Sequence, residues 1–258
     1  MTETRRILTL ARSDFSYFFR TKWLMAVLLS LNLSDMLVVA LVYNNMMSID
    51  YMKHFVPAVV VMGLFAASLD TGRRIWLAFR EGVIQYELSL PISTSGIVIA
   101  YLLAGGLSAM VYSSSLMLIA LLVLPAQAIW SAVMLLPFLF VLATGFAGIA
   151  AFFAALASTR GEFFFAYQQI MQVGLLTLST VPYPIDIVQK VFPPFLTAIV
   201  SANPLSQAAN ALRNFTFSGI PIEPSALLGM LLSSIPFTII GAVAYLTALN
   251  RLRVKGKL

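Results

Sequence analysis

The sequence contains no cysteine and a single histidine, His54, among its 258 residues, and only 10% of its positions are charged. Each scarcity removes a class of chemistry. Without cysteine there is no thiolate nucleophile, no thiolate metal site and no disulfide, so nothing indicates a redox compartment. One histidine leaves no His-based metal cluster. A Gly-x-x-x-x-Gly-Lys-[Ser/Thr] loop to cradle phosphates is absent, so the chain is not expected to hydrolyse ATP itself, and a Gly-x-Ser-x-Gly elbow for serine hydrolysis is absent too. An ordinary soluble domain is about one-quarter charged; a chain this poor in charge is not built for water.

Apolar residues fill 60% of the positions. A bilayer core about 30 Å thick needs roughly 20 apolar residues per helical crossing, so this length accommodates about five to seven crossings and no large soluble domain. The fold expected is an all-α membrane protein forming one transmembrane domain over 1–258. Six apolar segments stand out, over 23–43, 55–75, 97–124, 129–157, 163–181 and 225–249. The third and fourth exceed one crossing, with Pro137, Gly145 and Gly148 as places to bend.

Ahead of the first segment, residues 4–20 put Leu8, Ala11, Phe15, Phe18 and Phe19 on one face and Arg5, Arg12, Ser16 and Arg20 largely elsewhere. That pattern predicts an amphipathic helix in the membrane interface, or a juxtamembrane segment with snorkelling arginines. Basic residues there precede an apolar run long enough to span, which predicts that the N-terminus is retained rather than cleaved.

The net charge of +6 does not form a nucleic-acid footprint, because the basic residues flank apolar runs instead of sharing a folded face. They report topology. Thirteen (Arg5, Arg6, Arg12, Arg20, Lys22, Arg73, Arg74, Arg80, Arg160, Arg251, Arg253, Lys255, Lys257) fall on one side of six spans and three (Lys53, Lys190, Arg213) on the other. Basic residues are retained in the cytoplasm, so both termini are expected there.

Two connections are unusual. The cytoplasmic one holds Arg80-Glu81-Gly82-Val83-Ile84-Gln85-Tyr86-Glu87-Leu88-Ser89-Leu90-Pro91, a short surface helix over 80–90 stopped by proline. The other, 182–217, is too apolar for a solvated loop and is divided by Pro193, Pro194 and Pro204 into helical pieces expected at 185–192 and 195–202. It is read as dipping back into the membrane, which irregular backbone tolerates only when covered by protein or lining a wet cavity; an interfacial hairpin without a gating role is the other reading.

At these connections the chain resembles the ABC-2 type permeases, the transmembrane subunits of a class of ATP-binding-cassette exporters. The likeness spans the layout of nearly the whole chain. Arg80, Glu81, Gly82, Leu90, Pro91 and Ser93 fit the family's Arg-Glu-Gly-Thr-Leu-Glu-x-Leu-x-x-x-Pro-x-Ser stretch, whereas Val83, Gln85 and Glu87 depart from it. Leu178-Ser179-Thr180-Val181-Pro182-Tyr183-Pro184, then Asn203-Pro204-Leu205 and Arg213, are similar to the family's path from span five through a re-entrant hairpin. The resemblance implies a cell-membrane exporter in which two permease subunits, identical or homologous, enclose the pathway. It also implies a coupling helix, with Arg80, Glu81, Gly82, Tyr86, Glu87, Leu90 and Pro91, that docks into a separate ATPase subunit holding ATP and magnesium. Pro182, Pro184, Phe192, Pro193, Pro194, Asn203 and Pro204 would shape the re-entrant gate.

Polar residues inside spans are costly and each needs a reading. Asn32 and Asp35 in span one are either part of the pathway or subunit seam, or a carboxyl satisfied locally by Asn32, Ser30 or Ser34. Asp70, followed by Arg73 and Arg74, reads as an interfacial ion pair. Gln168, Gln169 and Gln172 in span five form a polar stripe for a cavity or dimer seam, or a local interhelical network. Other classes stay open: a scaffold or sensor subunit without transport, a secondary transporter coupled through Asp35 and Asp70, and an intramembrane hydrolase lacking most of its parts.

Overall fold

The computed structural model describes residues 2–20, 22–46, 50–157 and 162–254. Arg160, Lys255 and Lys257, which entered the charge count, lie outside them. Among the described residues every regular element is helical. Helix α1 (Glu3–Arg20) buries Ala11 and Phe18 as its two-sided pattern demands. Helix α2 (Lys22–Ser34) passes through a π-helical turn at Asp35–Val39 into α3 (Ala40–Met46). Helix α4 (Tyr51–Arg80) starts at Asp50, whose carboxylate accepts the Lys53 N–H at 3.2 Å and satisfies one of the open donors of the first turn.

Beyond α4 come the short α5 (Val83–Ser89), then α6 (Thr94–Val123) and α7 (Ile129–Ala157). Ser93 caps α6, accepting the Gly96 N–H at 3.0 Å. Helix α8 (Glu162–Thr177) is followed by α9 (Ile185–Val191), α10 (Pro194–Ala202) and α11 (Pro204–Ala211). A π-helical stretch, Leu212–Phe217, and the long α12 (Pro224–Val254) complete the described chain.

Among the described residues five helical stretches are long and apolar enough to cross a membrane: Met25–Met46, Tyr51–Arg80, Thr94–Val123, Ile129–Leu156 and Pro224–Arg251. That is the make-up of a multi-pass membrane protein. The sixth segment, expected over 163–181, is instead the 16-residue α8 and a turn. At 1.5 Å per residue α8 is about 24 Å long, short of a bilayer core. Its end is set from outside: the Asn203 side-chain amide donates to the carbonyls of Leu175 and Leu178 at 2.9 and 2.6 Å, taking up acceptors that a continuing helix would use.

Helix α4 lies at the centre and is buried along nearly its whole length between α6 and α7, with α1 along α6 and α12 along α7. At one end of this body, Ile75, Ile84, Tyr101, Ala154, Phe164 and Leu249 join one apolar cluster, so α5 and the near ends of α4, α6, α7, α8 and α12 meet there. At the other end, Tyr51 donates its hydroxyl to the Pro182 carbonyl at 3.1 Å, and the N–H groups of Gln127 and Ala128 bond the Thr216 carbonyl. Helix α8 therefore has Phe164 at the α5 end and leads to Thr180 at the opposite one.

Three other expectations change. The surface helix expected over 80–90 is two elements: Arg80 ends α4, Glu81 caps it, and Gly82 at φ 74° reverses the chain before α5. A side chain at that backbone angle is strained, which is why a glycine separates them. Pro137 sits within α7, which continues through it, and Gly148 lies where a Cβ would meet the Phe237 carbonyl of α12, a close-packing role that its sequence position did not announce. The hairpin has a third piece, α11, more deeply buried than α9 or α10.

Helices α7 and α12 touch backbone to backbone where Gly148 faces Gly241: a Cβ on Gly241 would fall on the Gly148 carbonyl. Small residues let helices approach this closely in lipid, where no hydrophobic force drives them together. Gly241→Val should lower the thermal midpoint of the purified protein, at a cost of roughly 1–3 kcal/mol. Gly174→Ala, whose Cβ meets nothing within 4 Å, should leave it unchanged or raise it slightly. Equal losses in a melting assay would refute the contact.

Candidate functional site at the two ends of the helical body

The α5 end is built around Arg74. Its guanidinium is almost fully buried and bonds the Asp14 carboxylate of α1, the Asp14 carbonyl at 2.9 Å and the Thr71 hydroxyl at 3.2 Å. Asp70 ion-pairs with Arg73 at 2.6 Å and approaches Arg74 Nε at 3.3 Å. The pairing read from sequence is present, and Asp14 is a fourth member that sequence spacing did not reveal. Burying one member alone would be severely unfavourable, so α1 and α4 are joined as a unit.

Helix α1 also reaches the segment after α5. Arg6 donates to the Pro91 carbonyl, and the Glu3 carboxylate accepts the Ser93 N–H at 3.3 Å. From the body side, Tyr101 of α6 places its hydroxyl 2.9 and 3.2 Å from the two oxygens of Glu87, a buried side chain. A cavity of about 150 Å³ is lined by Asp14, Arg74, Glu87 and Tyr101, with Glu81 and Val83 on its wall. Burial pushes the Glu87 carboxyl up to about 7, opposed by the Tyr101 hydrogen bond and reinforced by the charge of Asp14. Burial likewise pushes Asp14 up to about 6, with Arg74 pulling the other way.

The residues assigned to coupling thus divide. Tyr86 is 67% exposed, and Arg80 and Glu81 are exposed at the end of α4, the Arg80 guanidinium 5.5 Å from the Trp76 ring. Glu87 faces inward and is not available to a partner. Pro91 is exposed and Leu90 half-buried; both border a groove of about 420 Å³ with Arg6, Thr9 and Tyr86.

The opposite end is built around Arg213. From the π-helical stretch its guanidinium donates to the His54 carbonyl at 2.6 Å, Asn210 Oδ1 at 2.8 Å, and the Thr180 and Val181 carbonyls at 2.9 and 3.3 Å. It also lies 3.1 Å from His54 Nε2, which must accept, since arginine only donates. The start of α4, the turn after α8 and the end of the hairpin are fastened together without a carboxylate. Pro182 and Pro184 frame that turn, and Asn203 and Pro204 are buried, whereas Phe192 is half-buried and Pro193 and Pro194 are exposed. Sequence reading placed Lys53, the neighbour of His54, on one side with Arg213 but foresaw no contact; the Asn210 and Arg213 spacing of one helical turn was the available signal.

Inside the body, Asn32 is buried and donates to the Tyr112 hydroxyl at 2.9 Å, tying α2 to α6. It does not pair with Asp35, which is half-buried at the start of the π-helical turn. Gln169 is exposed and Gln168 and Gln172 half-buried on α8, and none of the three amides forms a hydrogen bond among the described residues. No three His, Asp or Glu side chains gather closely enough among the described residues to hold a metal ion. No protein-family model and no curated protein matches the chain.

Replacing Arg213 takes the donor from the buried Thr180 and Val181 carbonyls, each worth about 1–3 kcal/mol when unsatisfied, and from the half-buried His54 carbonyl and Asn210 Oδ1. Arg213→Met should lower the melting temperature strongly, and Arg213→Lys nearly as much, because an ammonium does not reproduce the guanidinium fork. A Lys variant that melts like the parent would contradict this account of the clasp.

Proposed function

We propose that this chain is the membrane-spanning permease subunit of an ATP-binding-cassette transporter, of the ABC-2 type, working as an exporter in the cell membrane. The observation that carries the reading is the α5 end. A seven-residue helix is braced from behind by Tyr101 and from the side by α1, and presents Tyr86 with Arg80 and Glu81 outward. A helix joined to α4 by a short reversal and to α6 through Tyr101, yet open on its outer side, is suited to receive force from a protein and pass it into the spans.

In this reading the α5 end is cytoplasmic. Arg73, Arg74, Arg80 and Arg251 collect with α1 there, while Lys53 and Arg213 lie at the other end, which follows the retention of basic residues in the cytoplasm. Helix α8 with its turn makes the sixth crossing, and both termini then lie inside. The segment 182–217 is the re-entrant gate, with Arg213 clasping its base. ATP and magnesium are held by a separate subunit that docks on Tyr86, Arg80 and Glu81, while Glu87, Leu90 and Pro91 position the docking helix.

A second permease chain, identical or homologous, covers the outward faces of α2–α3 and α8. The unpaired glutamine stripe favours that seam, since amides turned toward hydrocarbon gain from a polar partner across an interface. The carboxylate of Asp35, without a hydrogen-bond partner among the described residues, fits the same seam or the pathway beside it. A scaffold or sensor role would also use an exposed α5, and differs in requiring no coupled ATP hydrolysis.

Affinity capture of the tagged chain from its native membrane in mild detergent tests the proposal. The expected result is a stoichiometric ATPase whose activity falls at least tenfold in the eluate of an Arg80→Glu/Tyr86→Ala variant that remains monodisperse. Recovery of the chain with no ATP hydrolysis would overturn it.

A further inference from the structure

Glu87 is not needed for an outward contact, yet a buried carboxyl stands in the joint between α5 and the spans. Helix α5 leans on α6 through this one polar contact, together with Ile84 and Leu88 in the apolar cluster beneath. The groups facing the joint come from every element around it. Helix α1 brings Asp14 and Tyr17, α4 brings Arg74 with Asp70 and Arg73 behind it, and Glu81 stands at the cap. Tyr101 comes from α6 and Tyr245 from α12, their rings 6.2 Å apart. Arg74, the buried cation at this joint, is committed to Asp14 and Asp70, so among the described residues Glu87 has a hydroxyl donor but no counter-ion.

We propose that Glu87 is a proton-dependent latch that positions the coupling helix: protonated, it seats α5 against α6, and ionised, it loosens that seat. The direction follows from linkage. A carboxyl that titrates near 7 when seated and at its ordinary value of 4.5 when released binds protons more tightly in the seated form. Seating is then strongest below the ordinary value and weakens as pH rises toward 7, where the released form has already given up its proton. The cavity beside Glu87 has space for several waters, a route by which the proton exchanges without unfolding. Only the consequence for transport depends on the function proposed above; the latch itself belongs to the isolated chain.

The absence of cysteine allows a single reporter. Val83→Cys, 41% exposed on the cavity wall, is labelled with bimane in the full chain in lipid nanodiscs, and iodide quenching is followed from pH 5 to 8. Quenching should rise with pH, with the seated-to-released ratio falling about tenfold or more. Glu87→Gln should abolish the dependence and stay seated throughout. Asp14→Asn should shrink it, by removing a like charge, and Tyr101→Phe should extend it to higher pH, by removing the donor to the ionised form. If Glu87→Gln does not fold, opposite displacements in the Asp14 and Tyr101 variants still identify the group. A flat parent profile, or unchanged dependence in the variants, overturns the latch. The latch can fail while an ATPase is still captured, and can hold while none is, so the two proposals are judged separately.

Discussion

A helix enclosed by other helices in a medium without water has only the partners that the chain itself brings to its polar groups. Helix α4 is in that position, and both its ends are settled by a buried guanidinium. Arg74, near the α5 end, draws Asp14 and so seats α1; Arg213 draws the carbonyl of His54 and so seats the turn after α8 and the end of the hairpin. Between these two fastenings the spans pack through small residues, of which the Gly148 and Gly241 contact is the tightest. The two ends differ in kind. The Arg74 end uses carboxylates and adjoins a polar cavity, whereas the Arg213 end uses carbonyls, an amide and an imidazole, none of them acidic.

That difference bears on function. The end that contains acidic groups able to titrate near neutrality is also the end where α5 presents an open surface, so the joint that would transmit force is adjustable. The end with fixed hydrogen bonds anchors the hairpin against the start of α4. Helix α4 bears Arg74 and supplies the His54 carbonyl that Arg213 holds, so in the proposed function work entering at α5 would pass along it. The proposed ATPase-driven permease would draw on such a division, with a pliable end at α5 and a firm clasp at Arg213.

Composition and periodicity made the helical, membrane-embedded character and the helix α1 legible, whereas the surface helix expected over 80–90 is split at Gly82 and the proline-divided hairpin has a third piece. What they missed was set by contacts between distant segments. The end of α8 depends on Asn203, which lies beyond two proline breaks and captures carbonyls of Leu175 and Leu178. The inward turn of Glu87 depends on Tyr101, fourteen positions away on another helix. Asn32, paired on paper with Asp35, is taken by Tyr112, eighty residues on. In each case the residue types announced a polar group needing a partner, and only the packing chose which.

The most direct test of the account places a photocrosslinking amino acid at Tyr86 in the full chain, irradiated in its native membrane. A force-receiving surface predicts one dominant adduct, with a soluble ATPase, whose yield changes when a non-hydrolysable ATP analogue is added. Adducts with lipid alone, or with proteins whose yield ignores nucleotide, would contradict the claim that α5 couples these spans to ATP hydrolysis.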